Sequence, residues 1–139
     1  MSWLFWSILS ALFAAATAIL AKIGVTGIDS NLATAIRTLV IMLFAWGIVG
    51  LTYTPGELAK VTQKGWLFLI LSGIATGLSW LCYFRALQLG PASKVAPIDK
   101  LSVVFVIVFA AAFLGERISA TKMAGGLLIA AGATVLVFA

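Results

Sequence analysis

The feature that most constrains this sequence is a series of apolar runs, each long enough to cross a lipid bilayer as an α-helix. A spanning helix needs about 20 mostly apolar residues. Five such runs lie at about residues 3–22, 32–53, 66–85, 92–114 and 122–139. Strands of a membrane β-barrel would alternate apolar and polar residues over about ten positions, whereas these runs are longer and apolar on every side. The pattern therefore predicts an all-α membrane protein with five transmembrane helices.

The composition of the chain agrees with a membrane protein. Of its 139 residues, 63% are hydrophobic and 9% are charged, whereas a soluble domain carries about 25% charged residues. The N-terminal segment has no positively charged stretch before its first apolar run, so we expect this run to be retained as a span rather than cleaved. No linker is long enough to separate domains. Residues 1–139 are therefore expected to form one integral, multi-pass domain in the bilayer.

The residue types exclude several kinds of chemistry. The sequence contains no histidine and a single cysteine, Cys82, which excludes a disulfide framework within the chain and leaves no Cys/His spacing for a metal. The sequence also lacks GxSxG and HExxH motifs, and no span carries a pair of acids for acid/base work. We therefore expect no metal, no cofactor, no catalytic residue and no enzymatic activity.

The net charge of +5 does not point to nucleic acid, because the nine basic residues are scattered singly rather than grouped with aromatic residues. Lysines and arginines that flank membrane spans are the simpler explanation. An odd number of spans places the termini on opposite sides and divides the basic residues into two groups: Lys60, Lys64, Arg117 and Lys122 on one side, and Lys22, Arg37, Arg85, Lys94 and Lys100 on the other. Four against five is no bias, so the sequence specifies neither orientation and insertion both ways is open to it.

Three ionisable residues lie within predicted spans. Arg37 is roughly 8 Å into its helix, and Asp99 and Lys100 are somewhat deeper in theirs. Such residues are functional candidates by default, and the alternative is that they snorkel to the interface or form a structural ion pair. Pro97 should disrupt its helix near residue 93 and free backbone carbonyls beside these charges, as broken helices do at the polar midpoint of transporters.

Cations outnumber acids in this group, which suits an anionic or zwitterionic small molecule with a carboxylate or phosphate. Trp80 and Tyr83 would add aromatic walls. The expected substrate pathway therefore consists of Arg37, Trp80, Tyr83, Asp99 and Lys100, with Asp99 and Arg37 as the expected ion pair. Anchoring at the membrane interface is the simpler explanation for the basic residues at helix ends: Lys22, Arg85 and Lys94.

The last run carries small residues at helical spacing. Gly126, Ala130 and Ala133 lie on one face, and small residues let the backbones of membrane helices approach closely. This stripe could pack within one subunit or against a second one. Because no charge follows Lys122 in this run, a pathway role is disfavoured and we expect the stripe to form a dimer contact.

Two segments resemble a known family. Residues 83–104 (YFRALQLGPASKVAPIDKLSVV), followed by FLGERIS at 113–119 and the glycine-rich last run, resemble the EamA family of the drug/metabolite transporter superfamily. The resemblance covers essentially the whole chain, and its most specific parts are the Leu-Gly-Glu-Arg turn and the proline-bearing helix before it. Typical members have ten spans made of two inverted five-span repeats, and this chain resembles a single repeat.

This resemblance implies an exporter of small metabolites that works by alternating access in a bacterial-type inner (plasma) membrane. A homodimer of oppositely inserted copies would rebuild the ten spans. Small multidrug-resistance relatives use a glutamate in the first helix for proton coupling, and the first run here has no acid. Proton coupling would therefore have to use Asp99. The alternative function is a membrane subunit without transport activity, such as an assembly partner of another membrane protein.

Overall fold

Helices make up the regular structure of residues 2–139, which are the residues described by this computed structural model, apart from the side chain of Pro55. The described residues contain no strand, and the helical elements follow one another as α1 (Trp3–Gly24), α2 (Ser30–Thr52), a 3-10 turn (Pro55–Lys60), α3 (Gln63–Leu89), α4 (Ala92–Asp99), α5 (Ser102–Leu114) and α6 (Ala120–Phe138). Five segments are long and apolar enough to span a membrane, with α4 and α5 together forming the fourth. The prediction of an all-α protein with five spans is confirmed.

The helix boundaries follow local capping signals. At the start of α2, the Asp29 carboxylate accepts hydrogen bonds from the backbone N–H groups of Asn31 and Leu32, at 2.8 and 3.2 Å, and so satisfies donors that have no partner within the helix. At the end of α5, Gly115 has φ 68°, a left-handed conformation that glycine adopts without a Cβ penalty. The third span is longer than the apolar run predicts, because helical hydrogen bonding continues through the polar residues at both ends.

The irregularity in the fourth span lies after Pro97 rather than near residue 93. The helix α4 continues through Pro97 to Asp99, because the fixed φ of proline is compatible with a helix even though its missing N–H is not. The bonding then tightens to a three-residue pattern, with the Lys100 N–H donating to the Pro97 carbonyl at 3.1 Å and the Leu101 N–H donating to the Ile98 carbonyl at 3.0 Å. The junction between α4 and α5 is therefore a short 3-10 segment next to two charged side chains.

The chain divides into two compact units. One, the α2–α3 unit, consists of Ile23–Gln88; the other, the α1/α4–α6 unit, consists of Met1–Lys22 and Leu89–Ala139. The expectation that residues 1–139 form one domain stays a prediction.

The buried residues of the α2–α3 unit are few and lie near the start of α2 and the end of α3. They are Val25, Ser30, Ala33, Thr34, Phe84 and Leu87. The buried Thr34 hydroxyl donates to the Ser30 carbonyl at 2.8 Å, within its own helix. Most large apolar side chains on these helices are instead exposed on the protein surface, as expected where lipid covers them.

In the α1/α4–α6 unit, α6 packs against α4 and α5. Gly126 and Ala133 are buried there, and a Cβ placed on Gly126 would lie 3.3 Å from the Ile107 side chain of α5. Packing within the chain therefore accounts for the small residue at position 126, and burial leaves it little surface for a second subunit. The expected dimer contact through Gly126, Ala130 and Ala133 stays a prediction.

A leucine at Gly126 should destabilise this unit, because its side chain would have to displace Ile107 from a close contact. We expect Gly126→Leu to lower the free energy of unfolding by about 1–3 kcal/mol, measured by reversible unfolding in mixed micelles. Gly125→Leu is the matched control, since a Cβ on Gly125 meets nothing within 4 Å.

The oligomeric state of the same two variants distinguishes the two uses of the stripe. Loss of dimer in Gly126→Leu without loss of subunit stability would contradict packing within the chain and favour the dimer contact.

Candidate functional site: an aromatic-clamped arginine and an ion pair at a helix junction

Arg37 of α2 lies over two aromatic rings of α3. Its guanidinium carbon is 4.3 Å from the centroid of the Trp80 ring and 5.4 Å from that of the Phe84 ring. Trp80 and Phe84 are four residues apart, so they are neighbours on one face of α3. A guanidinium within about 6 Å of an aromatic centroid is attracted by the negative face of the ring. The two rings therefore hold Arg37 in place without neutralising its charge.

The position of Arg37 follows from the start of α2. The helix begins at the Asp29 cap. The hydroxyl groups of Thr34 and Thr38 donate to backbone carbonyls four residues earlier in α2, at 2.8 Å each. The threonine hydroxyls beside Arg37 are therefore paired within α2, and Arg37 contacts α3. Tyr83 lies near the Arg37 guanidinium. Three of the predicted pathway residues (Arg37, Trp80 and Tyr83) thus lie together in the α2–α3 unit.

The two acids of the α2–α3 unit are engaged elsewhere. Asp29 caps α2, and Glu57 forms an ion pair with Lys60. Within the described residues of this unit, Arg37 therefore has ring contacts and no carboxylate partner. Because no carboxylate of this unit neutralises it, the Arg37 guanidinium can bind a planar anion such as a carboxylate.

Phe84 is the member of this cluster that the sequence analysis left out of the pathway. It is buried, with 2% of its surface exposed. Its spacing of four residues from Trp80 places both rings on one face of α3. This spacing alone does not identify Arg37 as the residue that contacts them.

Asp99 and Lys100 form an ion pair with each other, with 3.2 Å between the Lys100 Nζ and the Asp99 Oδ2. Adjacent side chains leave a helix about 100° apart, so this contact requires one of them to bend toward the other. The flexible lysine side chain reaches back to its neighbour at the irregular α4–α5 junction. The expected pairing of Asp99 with Arg37 joins residues of different units and stays a prediction.

The basic residues at helix ends make structural contacts. The Lys22 amine donates to the Gly90 carbonyl, and the Lys94 amine donates to the Val137 carbonyl in the last turn of α6, both at 2.9 Å. Carbonyl groups at the end of a helix lack partners within it and favour a nearby cation. These contacts agree with the structural interpretation of Lys22 and Lys94.

Arg85 also contacts a residue near the end of its helix. Its guanidinium donates to the Gln88 side-chain oxygen at 3.0 Å, and the Gln88 amide donates to the Ile28 carbonyl at 2.6 Å. This chain of hydrogen bonds connects the end of α3 to the turn before α2. Arg85, like Lys22 and Lys94, therefore has a structural role that needs no substrate.

Five apolar spans with charged residues inside them are typical of a multi-pass membrane transporter. The chain belongs to the EamA-like transporter family, whose family model matches residues 1–138, and the predicted family is confirmed. A curated relative from Sinorhizobium sp, described as "Uncharacterized transporter in cobO 3'region", is 52% identical over 135 residues, which cover 97% of this chain and 96% of the relative. No solved structure is significantly similar. Both descriptions name transport rather than a chemical reaction.

A double-mutant cycle tests the contact between Arg37 and Trp80. We expect Arg37→Lys and Trp80→Leu each to lower the free energy of unfolding and to show a coupling energy of about 1 kcal/mol, because lysine keeps the charge but loses the planar stacking. Unfolding in mixed micelles gives the four free energies.

The matched control pairs Arg37→Lys with Trp46→Leu. Trp46 is exposed, so this pair should be additive. Equal coupling in both cycles would mean that the stacking of Arg37 on Trp80 has no specific energetic role.

Proposed function

We propose that this protein exports small metabolites by alternating access, as an antiparallel, dual-topology homodimer in a bacterial inner membrane. The observation that carries this proposal is the family match over a chain of only five spans. A relative of similar length is itself described as a transporter. The match covers 96% of that relative, and a second copy of this chain inserted the other way round would supply the second repeat that a ten-span transporter needs.

The charge distribution supports insertion in both orientations. By span count, four lysines and arginines lie toward one side of the membrane and five lie toward the other, with Arg37 and Lys100 of the five inside spans. Orientation follows an excess of such residues on the cytoplasmic side. A nearly even distribution removes this preference and allows both copies to be made from one sequence.

The proposed substrate is a small anionic or zwitterionic molecule with a carboxylate or phosphate. Arg37 supports this choice, because its guanidinium lies over the rings of Trp80 and Phe84 while no acid of its unit neutralises it. In the proposed pathway, Arg37 binds the anionic group, and Trp80 and Tyr83 form the wall beside it. A charged group held without a neutralising partner is costly in a membrane, and substrate binding would offset part of that cost.

The remaining residues of the proposed pathway lie at the junction between α4 and α5. Asp99 and Lys100 lie there, one turn after Pro97, where the backbone bonding changes to a three-residue pattern. Local 3-10 segments inside longer helices are common sites of hinge motion. We assign Pro97 and this segment to the bending that opens the pathway to each side in turn, and Asp99 to proton coupling if transport is proton-driven.

Dual topology predicts that the C-terminal end lies on both sides of the membrane. A cysteine added at this end, in a Cys82→Ser background because Cys82 is exposed, should be labelled partially from each side by a membrane-impermeant maleimide. The reason is that about equal numbers of lysines and arginines flank the spans on both sides. Labelling from one side alone, with full reaction after permeabilisation, would contradict the antiparallel dimer.

The proposed pathway predicts that its cations are needed for flux but not for folding. Arg37→Met and Lys100→Met should keep the dimer intact, because neither side chain is buried within the subunit and an apolar residue costs little within a span. Both variants should lose transport of carboxylate substrates. Flux is measured in proteoliposomes with a panel of radiolabelled amino acids and organic acids.

Lys60→Met is the matched control for flux, since Lys60 pairs with Glu57 in the connector outside the spans. Wild-type flux in Arg37→Met and Lys100→Met would mean that these cations only anchor helices. The absence of flux in the wild-type protein across the whole panel would favour the alternative, a membrane subunit without transport activity.

A further inference from the structure

A cavity of about 190 Å³ lies beside the turn between α5 and α6. Its apolar wall is formed by Val106, Ile107 and Ala110 of α5, and its polar rim is formed by Glu116, Arg117 and Lys122. All of these residues belong to the α1/α4–α6 unit and none is among the proposed pathway residues.

The shape of the turn brings the polar rim to the end of α5. Gly115 adopts φ 68°, and the Glu116 N–H then donates to the Ala110 carbonyl at 3.2 Å. This bond folds the chain back against the last turn of α5, so the charged residues that follow lie beside apolar side chains. At the start of α6, Ser119 accepts from the Lys122 N–H at 3.2 Å, which fixes the other side of the rim.

The rim carries one uncompensated positive charge. Lys122 and Glu116 form an ion pair with 3.1 Å between Nζ and Oε2. Within the described residues of this unit, Arg117 takes part in no ion pair and no hydrogen bond. The cavity therefore combines a free guanidinium, a lysine whose partner is half-exposed, and an apolar wall.

We propose that this cavity binds an anionic phospholipid, with the lipid phosphate on Arg117 and Lys122 and an acyl chain along Val106 and Ile107. The turn joins the fourth and fifth spans, so it lies at the membrane surface, where lipid phosphates lie. Arginine binds phosphate through two parallel N–H groups, and basic pockets between spans at the membrane surface suit anionic headgroups. The apolar wall is the reason to choose a lipid over a free phosphate ion, since a free ion gains nothing from it.

Native mass spectrometry of the purified protein in neutral detergent tests this site, with phosphatidylglycerol and phosphatidylcholine as the two probes. The wild type should bind phosphatidylglycerol in preference. Arg117→Gln should weaken its binding about tenfold, the loss expected for one charge-assisted hydrogen bond, and should leave phosphatidylcholine binding unchanged. Lys64→Gln is the matched control, because Lys64 is on the same side of the membrane by span count but does not line the cavity.

Glu116→Gln gives a test in the opposite direction. This variant removes the carboxylate that competes with lipid phosphate for Lys122, so phosphatidylglycerol should bind more tightly than to the wild type. If Arg117→Gln does not fold, the Glu116→Gln variant alone tests the lipid-binding proposal. Weaker or unchanged binding in Glu116→Gln would overturn the proposal.

Two other results would also overturn it. One is equal loss of phosphatidylglycerol binding in Arg117→Gln and Lys64→Gln, which would indicate attraction to the overall positive charge rather than a site. The other is competition by inorganic phosphate or glycerol 3-phosphate at the same concentration as the lipid, which would show that the cavity takes a free anion and makes no use of its apolar wall.

Discussion

Lipid hydrocarbon surrounds an apolar side chain as favourably as another leucine does, so burying leucine between membrane helices gains little free energy. The protein reflects this constraint in which side chains it buries. Several of its buried residues are small (Ala18, Ala33, Gly126 and Ala133), whereas large residues such as Leu51 and Phe113 are exposed. Helices in this setting are held by close backbone approach and by polar contacts. The few polar contacts therefore contribute more to holding the helices together than they would in a soluble protein.

The same constraint separates the basic residues into two groups by the chemistry of their partners. Lys22 and Lys94 donate to backbone carbonyls, which have no other partner at a helix end and are costly to leave unpaired in a bilayer. Such a contact gives the ammonium group a structural role at the helix end. Arg37 has aromatic faces instead, which fix its position and leave its N–H groups for another acceptor. This difference, rather than depth in the membrane, is what makes Arg37 the stronger candidate for substrate binding.

Much of the fold could be predicted from the sequence, because span length and helix caps are local properties. The apolar runs and the polar loop at Asp29 gave the five spans within a few residues. The Lys94–Val137 contact could not be predicted, since it joins residues 43 apart in sequence and depends on how helices pack. The contact of Arg37 with Trp80 and Phe84 could not be predicted either. The spacing of four residues places both rings on one face of α3, but it does not identify α2 as the neighbouring helix. The irregularity after Pro97 was misplaced because proline removes one hydrogen bond without ending the helix.

An antiparallel homodimer has a consequence for the energetics of transport that follows from symmetry alone. The two chains have the same sequence but different conformations in each state, and they exchange these conformations when the pathway changes sides. The inward-open and outward-open states are therefore related by a two-fold rotation about an axis in the membrane plane. Without a membrane potential or a lipid difference between leaflets, the two states have equal free energy. A ligand shifts such an equilibrium only through unequal affinity for the two states, and here those affinities are equal by symmetry. In the proposed dimer, the direction of transport must therefore come from the gradient of the substrate or of a coupled ion. In a dimer of this kind, the sequence can determine which substrate is bound, for which Arg37 is the proposed residue, but it does not determine the direction of transport.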